Sequence, residues 1–205
     1  TSQFDLLVYK TWQEMLELET KLLKDKKIMM DVSSNGLLMR ISTADYGSVS
    51  FVKNLGIEIV SSGDLLQSLT AVLTEKQYEN ELDACKKTMQ IKDEAFKLIK
   101  LEIEEFGQTN EYKIQQYIAR RFNEEGMTFD DPPLVATGKN ASNPHYSPTK
   151  DNFGIIKEGD LVLIDMWAKN DNEDGVYADI TWMGYVGNEI PQIYKDRFEI
   201  VKAAR

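Results

Sequence analysis

Residues 138–181 read GKNASNPHYSPTKDNFGIIKEGDLVLIDMWAKNDNEDGVYADIT, and the second half of that stretch decides the fold. Two apolar runs, Leu161–Lys169 and Gly175–Met183, are rich in β-branched and aromatic residues, and the polar string NDNED at 170–174 separates them. The pattern predicts two antiparallel strands joined by a five-residue hairpin loop. With the hairpin symmetric about Asn172, Asp165 faces Asp179 directly, their Cβ atoms about 5 Å apart on one side of the sheet. Leu161, Leu163, Tyr177 and Met183 share that side, which sets the two carboxylates among apolar neighbours.

Facing like charges destabilise a sheet, and ionised carboxylates withdrawn from water are costly unless compensated. A shared proton, a basic partner or a bound cation would compensate them. Neither run contains Arg, and Lys169 lies beyond the apolar part, so a divalent ion held by hard oxygen ligands is the simplest of the three. A hairpin in another register would instead leave one aspartate in solvent and the other in a turn.

Upstream of the hairpin stand NPHY (143–146) and SPT (147–149); GDLVLID (159–165) and YADIT (177–181) follow. In this order the strings resemble the creatinase/aminopeptidase P/methionine aminopeptidase family, the pita-bread metallopeptidases. KIMMDVSSNG (27–36), LGIEIVSSGDLLQ (55–67) and the long helical segment after them extend the resemblance toward Xaa-Pro peptidases. The implied fold class is α/β (α+β): the C-terminal part of a creatinase-type N-terminal domain over residues 1–70, then the first half of a pita-bread catalytic domain over 74–205. The resemblance implies that Asp165 binds one metal ion, that Asp179 bridges two, and that His145 contacts substrate. The implied cofactors are two divalent ions (manganese, cobalt or zinc), and the implied partner is a peptide substrate.

Three departures from the family pattern stand out. Trp182 follows the DIT string where many members carry Arg, and the turn between the aspartates is longer than usual. The family's remaining ligands are a downstream His and two Glu, whereas His145 is the only histidine here. The sequence is therefore expected to be a fragment cut inside its catalytic domain and inactive by itself. The competing reading is a pita-bread domain without peptidase activity, either a peptide- or histone-binding module or a creatinase-like amidinohydrolase.

Composition narrows the classes further. A chain of 205 residues can bury a sizeable core in one or two domains. A formal net charge of −10 argues against nucleic acid or an anionic membrane as partner. One cysteine, Cys85, permits no internal disulfide and fits a reducing, cytoplasmic location. No run is long and apolar enough to span a membrane. A homodimer is compatible with all of this.

Helix signals punctuate the rest. Thr11 with Glu14 and Thr74 with Gln77 form capping boxes, Thr43 is placed to open a helix ending near Asn54, and Thr109 or Asn110 opens another that stops at Gly126. Short strands are expected at Ile28–Val32 and Ile57–Val60. The helix from Thr74 carries the stripe Leu82, Cys85, Met89, Phe96, Ile99, Ile103 and Phe106, interrupted by Lys92, whose stem is long enough to reach solvent. Cys85 on that stripe reads as a small buried hydrophobe. Asn140-Ala-Ser142 is a formal glycosylation acceptor, and the NDNED loop only loosely imitates a calcium loop, so both read as turn segments.

Overall fold

The computed structural model describes residues 5–205, which divide into two units with the boundary between Val72 and Leu73. In the first unit, helix α1 (Trp12–Leu23) begins at the capping box of Thr11 and Glu14, with both reciprocal bonds formed. Strand β1 (Lys27–Met30), helix α2 (Tyr46–Asn54), strand β2 (Glu58–Ser61) and helix α3 (Gly63–Thr70) follow. β1 and β2 pair in parallel, Lys27 beside Glu58, the arrangement that a strand–helix–strand crossover produces. Asp45, rather than Thr43, caps α2 through the Ser48 amide at 3.0 Å. Thr43 bonds Asp31 instead, and Asp31 also accepts from the Ser62 hydroxyl.

The second unit is built on α4 (Glu75–Phe106), 32 residues and so about 48 Å long. The Thr74–Gln77 box starts it, and Gly107, at φ 75°, ends it in the left-handed conformation that glycine adopts without strain. Then come β3 (Gln108–Asn110), α5 (Glu111–Glu124), β4 (Met127–Thr128), β5 (Leu134–Thr137), β6 (Ile155–Lys157), β7 (Leu161–Asn170), β8 (Ala178–Tyr185) and α6 (Gln192–Ala204). β7 is the central strand: β8 pairs with one edge, while β4 and β5 share the other, all antiparallel.

One face of this sheet is core. Val162, Ile164, Met166 and Ala168 of β7 are fully buried and cluster with Ile91, Ala95 and Ile99 of α4 and with Ile114, Ile118 and Phe122 of α5. The stripe of large residues expected from spacing meets the core only in part: Ile99 is buried, and Cys85, Phe96 and Ile103 pack against the cluster. Ala84, Thr88, Ile91, Lys92, Ala95 and Ile99 face inward, whereas Leu82, Met89 and Phe106 are exposed. Small residues let the helix approach the sheet closely, and volume wins over hydrophobicity at the contact. Gly184 serves the same approach, since a Cβ there would lie 2.4 Å from Cε1 of Phe96.

Lys92 also departs from expectation. Its ammonium does not reach solvent but sits in the helix–sheet layer, 2.8 Å from Asp93 and 4.1 Å from the Trp182 ring centroid. A cation over an indole face is attracted to it, and that ring compensates part of the lost hydration. Arg121 clamps α5 to α4 through Glu94 at 2.7 Å and also binds Glu124 and Glu125. The hydrogen bond from Arg121, followed by that from Gln90, holds the Glu94 carboxyl below its ordinary range.

Candidate active site

The β7–β8 hairpin presents the two aspartates on one face, the face opposite the core. Asp165 lies across from Thr181 and Asp179 across from Trp167, so the aspartates are diagonal neighbours. Direct opposition is therefore corrected by two residues, a slip that preserves the face. The cause is the connection: the last β7–β8 pair is Ala168 with Ala178, so the residues between them, 169–177, are centred on 173, one residue later than expected. Asn170 extends β7 because its buried amide donates to Asp83 at 3.0 Å and its Oδ1 accepts from Lys87 at 2.9 Å. Gly175 then folds back against this strand end, where a Cβ would meet the Asn170 carbonyl oxygen at 2.2 Å. The Asn172 amide donates to Asn80 at 2.9 Å and its Oδ1 accepts from the Asp174 amide, so this segment is a turn anchored to α4.

The surroundings of the carboxylates differ from expectation too. Asp165 is half-buried and Asp179 exposed, with Leu161, Leu163 and Trp167 only half-covered and Met183 exposed on the same face. The penalty for two carboxylates is thus smaller than a buried pair would incur, and diagonal placement separates them by about 7–8 Å instead of about 5 Å. Thr181, not among the residues expected at the site, donates its hydroxyl to Asp165 Oδ1 at 2.8 Å. It fixes one carboxylate oxygen and leaves the other free.

His145 stands on the exposed loop between β5 and β6, which departs beside the first residues of β7. Its amide donates to Asn143 Oδ1 at 3.0 Å, and no hydrogen bond joins its ring to either aspartate. Thus the two aspartates are brought together, and His145 is held on a separate loop. Neighbouring Tyr146 points inward to the Glu111 carboxylate, and burial first, then that carboxylate, push its hydroxyl pKa upward. Asn140 belongs to the same cluster, donating to both Glu111 oxygens at 3.1 Å. Glu111 was invisible as a buried group in the sequence, since an acid after a cap residue ordinarily faces solvent in a first helical turn.

Cys85 is half-buried, and burial followed by the Glu81 charge raises its thiol pKa, the opposite of an activated nucleophile. Among the described residues, no helix is long and apolar enough to cross a membrane, and no three His, Cys, Asp or Glu side chains gather to hold a metal ion. Two carboxylates with a hydroxyl beside them form an oxygen donor set of the kind that suits a hard divalent ion.

The chain is 39% identical over 79 residues to a putative Xaa-Pro aminopeptidase of Mycoplasma genitalium, covering 37% of this chain and 20% of that protein. It is 26% identical over 162 residues to an uncharacterised peptidase of Methanocaldococcus jannaschii, 77% of this chain and 43% of the relative. In three dimensions it is similar to the X-prolyl aminopeptidase of Caenorhabditis elegans, described as a cytosolic enzyme with a di-nuclear active site. That match has a TM-score of 0.60 at 14% identity, covering 88% of this chain and 29% of the other. The mixed helix and strand architecture is that of the α/β pita-bread neighbours. The chain spans less than half the length of these relatives. The sequence profile of metallopeptidase family M24 matches residues 83–205, and the chain belongs to that family.

Proposed function

We propose that this chain contributes the Asp165–Asp179 half of the metal site of a peptidase acting on Xaa-Pro peptides. The observation that carries the reading is the hairpin: two carboxylates on one open face, one oriented by the Thr181 hydroxyl. In this reading residues 74–205 form the first half of the catalytic domain, and residues 1–70 are a remnant of an accessory domain. Asp165 and Asp179 would hold the divalent ions, their carboxylates supplying the negative charge that offsets them. Oxygen-rich ligation favours manganese over cobalt or zinc. The ions, when bound, supply Lewis-acid activation of water and of the scissile carbonyl. His145 donates a hydrogen bond to the substrate oxygen on which charge develops. The name of the nematode neighbour and the single cysteine support a cytoplasmic location.

The test uses a polypeptide carrying these residues together with a segment that supplies a further His and two Glu. Its cleavage of a Xaa-Pro peptide should need added manganese, cobalt or zinc, stop with a chelator, and fall to background in Asp165→Asn and Asp179→Asn. The 205-residue chain alone should not turn over the same peptide. Metal-independent cleavage, or robust turnover by the 205-residue chain, overturns the reading.

A further inference from the structure

The loop that carries His145 is folded over a buried carboxylate. Glu111, the first residue of α5, has no exposed surface. Its Oε1 accepts from the Thr137 amide at 2.7 Å and from Asn140 Nδ2 at 3.1 Å. Its Oε2 accepts from Asn140 Nδ2 at 3.1 Å, from the Tyr146 hydroxyl and from the Gly154 amide. These partners are neutral donors, and the charge gains further support from the helix N-terminus on which it sits. The Glu111 amide returns a bond to the Gly154 carbonyl at 3.1 Å. Gly154 can be no other residue without displacement, because a Cβ would lie 2.7 Å from Oε1 and 2.8 Å from Cδ.

Thr137 and Gly154 are the two ends of the loop, and Tyr146 sits at its middle, next to His145. We infer that Glu111 is a positioning residue for His145: its carboxylate gathers both loop ends and the Tyr146 hydroxyl, so that the adjacent imidazole is presented in one orientation. The inference rests on the proposed function for its catalytic consequence, although its geometry stands independently. A neutral amide cannot replace the carboxylate. Each Glu111 oxygen accepts from a backbone N–H, which cannot reverse its role, so the amide of Glu111→Gln would aim its NH₂ at one of them in either orientation.

Since His145 is the only histidine, its ring gives a single set of NMR signals in the intact 205-residue chain. Glu111→Gln and Tyr146→Phe should both shift the His145 Hε1–Cε1 signal. Each should also speed proteolytic cleavage within residues 138–154 by roughly tenfold, the effect of one lost buried hydrogen bond on local opening. Ile118→Val, which loosens the core of α5 without touching the loop, should leave the histidine signal in place. An unmoved signal in Tyr146→Phe, or an equal displacement in Ile118→Val, overturns the inference. If Glu111→Gln does not fold, Tyr146→Phe decides the matter by itself. Both readouts are independent of metal and of turnover. A negative result thus removes this role of Glu111 and leaves the peptidase reading intact, while loss of metal-dependent cleavage leaves the loop result intact.

Discussion

Replacing Gly184 by alanine tests the contact that seats β8, and with it Asp179 and Thr181, on the long helix. A Cβ at this position would meet Phe96 Cε1 at 2.4 Å, Cδ1 at 3.0 Å and Cζ at 3.1 Å. Ordinary carbon contacts begin near 3.5 Å, so the ring or the strand must move by about 1 Å. Overpacking of this kind costs about 1–3 kcal/mol, against which the restricted unfolded chain returns about 0.5–1 kcal/mol. The expected net loss is about 0–2.5 kcal/mol. Removing the ring first changes the sign: in a Phe96→Ala background, Gly184→Ala should be neutral or slightly stabilising. Urea unfolding in a Trp12→Phe background leaves Trp167 and Trp182 as reporters, both within residues 73–205. The double-mutant cycle should give a coupling of at least about 1 kcal/mol. An equal cost of Gly184→Ala with and without Phe96 would show that the ring does not set the helix–strand spacing.

Charge sets the stability of the α4–α5 and α4–β8 contacts. The folded-state pKa of Glu94 is depressed, so its contribution to stability is present above the ordinary value of 4.5 and is lost as pH falls through the lower folded value. Arg121→Met should lower unfolding stability at neutral pH by about 1–2 kcal/mol and flatten that acid dependence; unchanged acid unfolding would contradict the clamp. Trp182→Arg, which restores the commoner family residue, should destabilise the chain because a second cation meets the Lys92 ammonium over α4. The cost should shrink when Lys92→Met is added, and thermal unfolding of the two single variants and the double variant measures it.

What the sequence made legible follows from which interactions are local. The capping boxes of α1 and α4 were readable because each pairs residues three apart, and both form as expected. The face shared by Asp165 and Asp179 was readable because strand alternation survives any even slip. The register itself was not, because it is set by Asn170 and Asn172 reaching Asn80, Asp83 and Lys87, some 83–92 residues away in the chain. Burial of Lys92 and Glu111 was hidden for the same reason. A lysine within a stripe and an acid in a first helical turn both look solvated until Trp182, or the 137–154 loop, is folded against them.

By the proposed reading, Asp165 and Asp179 together should bind a divalent cation. Manganese titration of the 205-residue chain, followed by the electron paramagnetic resonance of the free ion, tests it without reference to catalysis. One weak site is expected, with Kd in about the 10⁻⁴–10⁻³ M range of weak oxygen-ligand sites. That site should be lost in both Asp165→Asn and Asp179→Asn and retained in Asp171→Asn, which changes an exposed loop carboxylate of the same hairpin. Manganese binding that is equal in all four proteins, or absent from the unaltered chain, would contradict it.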